Sequence, residues 1–450
     1  MSAYYLIGEH LSHSCSPELH RSFGRYDYAL KELAPAELGQ FLREKQFSGL
    51  NVTIPYKQAV IPYLDHLDAQ ASAIGAVNTI VNRDGQLWGY NTDFGGMMAA
   101  LKGIGCDSLA GRTVLILGTG GTSRTALAVC KALGAEKTLR VSRSGKDGAL
   151  TYDEARNRCP EAAWIINCTP AGMYPNLDEL PLPFEKCPIC HSERSEESVP
   201  PCHSERSEES VPSCHSERSE ESVPFPKLQG VFDCIYNPLR TRLVLSAQQR
   251  GLSASGGLYM LVKQAALSCA LFTGYPVEEA AVDAICGKLR QARENLVLIG
   301  MPGAGKTTLG RLLAQKTGKP FVDLDEEIVR RAGKPIPAIF VEAGEAAFRD
   351  LETVVIRECS QTGGKVIATG GGAVLREENM LHLRQNGRLF FLDRPLEALQ
   401  PTADRPLGDS FEKLRALYAA RYPQYVAAAD HLIPNRGNAD KALQAILELL

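Results

Sequence analysis

Residues 298–308 read LIGMPGAGKTT, and their reading decides the fold of the C-terminal third of the chain. An apolar strand pattern, NLVLIG from Asn295, runs into Gly300. Gly305, Lys306 and Thr307 then complete the spacing G-x-x-x-x-G-K-T of a phosphate-binding loop. Such a loop needs a strand before it and a helix after it, because the phosphates of a nucleoside triphosphate rest on bare amides at the helix N-terminus. The spacing predicts a P-loop α/β unit and assigns Gly303, Ala304, Gly305, Lys306, Thr307 and Thr308 to the nucleotide. It leaves the phosphate acceptor open.

Working outward, the runs PFVDLD, KVIATGG and RLFFLD continue the strand series after NLVLIG, with helical patterns between them. On the other side lie LIG at 6–8, SGLNVTIP at 48–55, RTVLILG at 112–118, TLRVSR at 138–143, AWIINCT at 163–169 and GVFDCIY at 230–236. Short apolar runs bounded by Gly, Pro or polar turns and separated by helices argue α/β architecture with parallel sheets. A chain of 450 residues is long enough for about three domains at roughly 150 residues each.

Composition removes several function classes. With 44% hydrophobic and 22% charged residues and a formal charge of −3, the chain has neither the basic excess of a nucleic-acid binder nor the apolar runs of a membrane protein. The N-terminal MSAYYLIGEHLSHS has no basic segment followed by an apolar one, so a cytoplasmic location is expected. Thirteen cysteines without a disulfide spacing are expected to be reduced thiols. The partners are therefore small molecules, with no nucleic acid and no membrane.

From Cys190 the chain repeats a 12-residue unit three times, CHSERSEESVP followed by Pro, Ser or Phe, ending at Phe225. These units carry nine acidic residues against three arginines and offer only Val as an aliphatic residue. So little apolar surface cannot offset the entropy of ordering, and the expectation over 187–226 is a disordered insertion. Cys187, Cys190, His191, Cys202, His203, Cys214 and His215 are ligand types for zinc. Their spacing, however, is set by the repeat, and no apolar residues frame a metal-nucleated fold.

A second glycine-rich turn, VLILGTGGTSRTA at 114–126, carries Gly118, Gly120 and Gly121 from a strand into a helix, as a dinucleotide pyrophosphate requires. Thr119, Thr122 and Ser123 complete the turn, Ser123 standing where the common fingerprint has its third glycine. At the end of the next strand VSRSGK offers Ser142, Arg143, Ser144 and Lys146 rather than the acidic residue that bonds an NAD ribose. The reading is therefore NADP(H).

Residues 1–290 resemble the shikimate dehydrogenases. The resemblance rests on HSCSPELH at 13–20, GLNVTIPYK at 49–57, IGAVNTI at 74–80, GYNTDFGG at 89–96, GTGGTSR at 118–124, DCIYNPLRT at 233–241 and GGLYMLVKQAA at 256–266. It implies that Ser14 and Ser16 hold the substrate carboxylate, Asn78 and Thr53 its hydroxyls, and Gln264 its far side. Lys57 and Asp93 become the catalytic pair, with Tyr236 at the substrate and Gly257 at the cofactor. A cationic lysine held by a carboxylate suits the protonation of an alkoxide formed by hydride transfer.

Residues 293–450 resemble the shikimate kinases, through GMPGAGKTT, FVDLDEEI at 321–328, FRDLE at 348–352, ATGGGAV at 368–374, DRPLG at 404–408 and RYPQY at 421–425. By that resemblance Thr307 and Asp323 serve Mg²⁺ and Lys306 the transferred phosphoryl of ATP. Asp325, Arg349, Gly370, Gly371, Gly372 and Arg421 take the substrate, and Arg405 comes from a closing lid. The implied layout is an α/β substrate-binding and catalytic domain (1–95 and 237–290), a Rossmann-like NADP domain (96–236), and a P-loop kinase domain (293–450). The implied function is reduction of 3-dehydroshikimate followed by phosphorylation of shikimate; the alternative is a kinase fused to a non-catalytic shikimate- or nucleotide-binding regulatory module.

Overall fold

The computed structural model describes residues 3–11, 14–24, 26–146, 148–182, 225–399 and 410–450. The repeats up to residue 224 with their candidate zinc ligands, and Arg405 with the DRPLG stretch, lie outside the described residues. Three sheets carry the fold. The first contains β1 (Tyr4–Gly8), β2 (Tyr28–Glu32), β3 (Gly49–Val52), β4 (His66–Leu67), β5 (Thr79–Arg83) and β6 (Gln86–Tyr90), in the order β2-β1-β3-β5-β6-β4. The pairs β3–β5 and β5–β6 are antiparallel, so this sheet is mixed rather than parallel throughout as expected. The cause is local. Asp84 and Gly85 both take positive φ, 52° and 81°, and an Asp-Gly pair of that geometry makes the two-residue hairpin that turns β5 directly into β6.

The second sheet runs β11-β10-β9-β7-β8, with β7 (Thr113–Leu117), β8 (Lys137–Val141), β9 (Ala162–Asn167), β10 (Gly230–Asp233) and β11 (Ser253–Ser255). All its pairs are parallel. Covered on both faces, Val114, Leu115 and Ile116 are fully buried, which is why β7 reads as an unbroken apolar run. Consecutive strands leave β7 on opposite sides, so a crevice opens at its C-terminal end, where the GTGG turn sits. Phe225, the closing residue of the third repeat, is fully buried in the same core as Leu182 and Leu228. Phe225 lies within the stretch 187–226 expected to be disordered, and its core position corrects the C-terminal end of that expectation: its aromatic ring packs where the serine and charged residues of the repeat could not.

The chain then returns to the first sheet. Helix Leu258–Thr273 packs on helix Thr92–Gly103, and at Gly96 a Cβ would lie 2.7 Å from the Met260 carbonyl oxygen, a closeness only glycine allows. Helix Glu279–Arg293 leads through one residue into the third sheet. That sheet is wholly parallel, β13-β14-β12-β15-β16, from β12 (Asn295–Ile299), β13 (Phe321–Asp323), β14 (Val366–Ala368), β15 (Gly387–Asp393) and β16 (His431–Pro434).

The junction with the rest of the chain uses the N-terminal ends of these strands. Arg240 N donates to Gln385 O at 2.9 Å and Leu239 N to Asn386 Oδ1 at 3.0 Å. Gln385 Nε2 donates to Leu177 O at 2.9 Å, and Asp178 pairs with Arg357 and faces His382 Nδ1 at 3.6 Å. No helix among the described residues is long and apolar enough to cross a membrane.

Candidate functional site

Two constellations form, one at each glycine-rich turn. In the first, Lys57 follows β3 and Asp93 stands in the first turn of helix Thr92–Gly103. Asn91 caps that helix, accepting from Phe94 N at 3.2 Å, so Asp93 is released from capping. Lys57 Nζ instead donates to Asp93 Oδ2 at 2.6 Å, and both side chains are largely shielded, 17% and 10% exposed. A Cβ on Gly121 would lie 3.9 Å from Lys57 Cδ, so the candidate pyrophosphate turn and the lysine share one cleft.

Around the pair, Asn78 is locked by Thr92. Its Oδ1 accepts from Thr92 N at 2.7 Å, and its Nδ2 donates to Thr92 Oγ1 at 2.9 Å and to Gln264 Oε1 at 3.5 Å. Thr53 N bonds Ile7 O at 3.0 Å, and the hydroxyls of Ser14 and Ser16 are 3.2 Å apart. Three residues that the sequence reading passed over hold this floor together. Asn51 accepts from Tyr28 OH at 2.7 Å and donates to Ser268 Oγ at 2.9 Å, and Ser268 lies 3.0 Å from Thr92 Oγ1. Asn51 sits inside the quoted GLNVTIPYK, but only the fold brings Ser268 to it.

The cofactor turn has the geometry of a cradle. Gly118 takes φ 107°, and a Cβ there would press within 3.3 Å of the Cys168 carbonyl; around Gly120 a Cβ would meet nothing within 4 Å. Ser123 is fully buried, its hydroxyl donating to Gly120 O at 2.6 Å, so it shapes the turn from within. Thr119 is exposed and Thr122 half-buried on the same turn. At the end of β8, Ser142 Oγ accepts from Gly145 N at 3.1 Å, while Arg143, Ser144 and Lys146 are exposed. Gly257, at the start of helix Leu258–Thr273, stands where a Cβ would meet the Cys234 carbonyl oxygen.

In the second constellation Gly300, Gly303 and Gly305 all take positive φ as β12 turns into helix Lys306–Thr317. Lys306 Nζ donates to the carbonyls of Gly300 and Met301 at 2.8 and 3.0 Å. Thr307 Oγ1 donates to Asp323 Oδ2 at 2.7 Å, while Asp323 Oδ1 caps the next helix through Asp325 N at 3.0 Å. A hydroxyl beside a carboxylate is an all-oxygen donor set, which fits Mg²⁺. Gly303 and Thr308 are exposed and Ala304 is buried, its carbonyl held by Asn435 Nδ2 at 2.7 Å. Asn435 lies after β16, more than a hundred residues from the loop it braces, with no local pattern to announce it.

Facing the loop is a dense polar cluster. A Cβ on Gly370 would sit 2.7 Å from Asp325 Oδ1 and 2.9 Å from Glu352 Oε1, and one on Gly372 would sit 2.0 Å from Arg349 Nη1. These glycines are bare because carboxylates and a guanidinium fill the space. Arg349 Nη1 donates to Glu352 Oε2 at 2.7 Å and Nη2 to Glu345 Oε1 at 3.2 Å. Arg421 Nη1 and Tyr425 OH both donate to Gly371 O, at 3.0 and 2.5 Å. Burial raises the Glu352 carboxyl above its ordinary range, with the Arg349 charge opposing, and it pushes the Tyr425 phenol up to about 12. Glu352 was not singled out in the sequence, although its place three residues after Arg349 puts the two on one helix face.

Comparison with known proteins gives these geometries their names. The shikimate dehydrogenase substrate binding domain family matches residues 6–80, and the shikimate kinase family matches residues 302–450. A shikimate dehydrogenase (NADP(+)) of Moorella thermoacetica is 31% identical over 329 residues, covering 67% of this chain and 96% of that protein. A shikimate kinase of Neisseria gonorrhoeae is 43% identical over 162 residues, covering 34% of this chain and 95% of that one. The crystal structure of a chorismate mutase/shikimate 5-dehydrogenase fusion protein from Clostridium acetobutylicum is 30% identical with a TM-score of 0.53, covering 64% of this chain and 97% of that one. The chain belongs to both families, a shikimate dehydrogenase followed by a shikimate kinase in one bifunctional shikimate-pathway enzyme.

Proposed function

We propose that one chain reduces 3-dehydroshikimate to shikimate with NADPH and then phosphorylates shikimate with ATP and Mg²⁺. The observation that carries this reading is the shielded Lys57–Asp93 pair beside the Gly121 turn, in the same chain as a P-loop that faces Asp325, Arg349 and Arg421. The proposed units are those expected above, 1–95 with 237–290, 96–236, and 293–450, in a cytoplasmic enzyme.

NADPH supplies the hydride at the first site. Ser14 and Ser16 would bind the carboxylate, and Thr53, Asn78 and Gln264 the ring hydroxyls. The alkoxide that develops on the ring takes a proton from Lys57 Nζ, and Asp93 holds that ammonium in place through its 2.6 Å hydrogen bond. At the second site Thr307 and Asp323 would hold Mg²⁺, which neutralises phosphate oxygens. Arg349 and Arg421 present planar forks to the shikimate carboxylate. Asp325 accepts the proton of the attacking hydroxyl, and Lys306 draws negative charge off the transferred phosphoryl.

An assay of NADPH oxidation by 3-dehydroshikimate, followed by shikimate-dependent ADP release on the same purified chain, tests the reading. A chain that made ADP but never oxidised NADPH would be a kinase with a regulatory module. The cofactor assignment has its own check. Arg143→Ala with Lys146→Ala should weaken NADPH about tenfold or more and leave NADH nearly unchanged, because a hydrogen bond to a charged group contributes about 1.5–3 kcal/mol. Fluorescence titration of both nucleotides reads the difference, and equal losses would remove these residues from phosphate recognition.

A further inference from the structure

Arg293 is the last residue of its helix, one step before the kinase sheet. The kinase unit grips its backbone. Lys319 Nζ donates to the carbonyls of Gln291, Ala292 and Glu294 at 2.7, 3.1 and 3.0 Å, which caps the helix end. A Cβ on Gly363 would fall 1.7 Å from the Arg293 carbonyl oxygen, so the Gly363–Gly364 turn lies flat against it. The side chain points the other way, into the dehydrogenase. Its Nη2 donates to Cys15 Sγ, and its guanidinium lies 5.9 Å from the centroid of the Tyr236 ring.

Cys15 stands between Ser14 and Ser16. Arg293 is half-buried there with a thiol and an aromatic face as neighbours, and no carboxylate among the described residues pairs with it. A guanidinium in that setting, bonded to the residue that joins Ser14 to Ser16 and close to the Tyr236 ring, matches the needs of a planar carboxylate, which takes two parallel N–H donors from one side. We infer that Arg293 is a carboxylate-recognition residue of the dehydrogenase, held in place by the kinase unit. The inference rests on the reading that Ser14 and Ser16 receive the substrate carboxylate. It makes the domain junction part of the first active site.

The test measures shikimate oxidation by NADP⁺ on the full-length chain, with shikimate and its methyl ester as paired substrates. Arg293→Met should raise KM for shikimate about tenfold, the loss of one charge-assisted hydrogen bond, with kcat nearly unchanged. KM for the ester should stay where it was, and Arg293→Lys should restore part of the loss for the acid. Equal changes for acid and ester, or none, would overturn the inference, since a purely structural arginine does not discriminate between them. Ser16→Ala separates the two levels of the argument. If it raises the acid's KM and Arg293→Met does not, the serine loop stands and Arg293 is excluded; if neither does, the carboxylate is bound elsewhere and both readings fall.

Discussion

Replacing Lys57 with alanine is expected to lower dehydrogenase kcat by about 10²–10⁴-fold, the usual contribution of a positioned proton donor. The shielding of the Lys57–Asp93 pair is what makes the effect large. With only a small part of either side chain reaching solvent, water has poor access to the place where the ammonium delivers its proton. Kinase turnover should be unaffected, because Lys57 lies in the first sheet's unit and the P-loop belongs to the third sheet. Steady-state rates for both reactions on one preparation check both halves of the expectation. A dehydrogenase within a few-fold of the parent would remove Lys57 from the chemistry.

Asp325→Asn should cripple the kinase by a comparable factor, about 10²–10⁴-fold in kcat, while ATP affinity holds. The proposed nucleotide contacts are the amides of the turn from Gly300 to Gly305 and Lys306, whose Nζ is held by the Gly300 and Met301 carbonyls. The Asp325 carboxylate lies against Gly370, on the proposed acceptor side. Asparagine keeps the shape and loses the capacity to take a proton. Titration of ATP beside turnover measurements separates the roles, and a collapse of ATP affinity with normal turnover per bound nucleotide would reassign Asp325 to the nucleotide.

Much of this architecture was legible from residues alone, for an identifiable reason. Glycine-rich turns between a strand and a helix advertise themselves, because positive φ at Gly118, Gly300, Gly303 and Gly305 leaves little choice of residue. The apolar runs of β7 and β12 are equally plain, since strands covered on both faces cannot alternate. The Asp84–Gly85 hairpin rests on a two-residue signal set within a chain whose remaining strands alternate with helices, so the prevailing pattern points to parallel pairing. Other features were hidden. Glu352, Asn435 and Ser268 act through partners distant in sequence or through burial that only the packed fold creates. Asn91 and Asp93 show the same limit at close range: either could have capped the helix, and the choice is decided by Lys57 from another part of the chain.

The junction lies at the N-terminal ends of β12 and β15, whereas the P-loop and Gly370–Gly372 lie beyond the C-terminal ends of their strands. A five-residue strand spans about 17 Å, so the closed end of the kinase abuts the dehydrogenase and its mouth opens on the far side. The fusion therefore fixes the ratio of two catalysts at one to one, with the kinase strands' C-terminal ends turned away from the junction among the described residues. Shikimate made by the first is therefore expected to mix with the bulk before the second captures it. In a coupled reaction started from isotopically labelled 3-dehydroshikimate, an added pool of unlabelled shikimate should dilute the label in the phosphorylated product in full proportion. Product that kept its label undiluted would require a route that this sheet orientation does not offer.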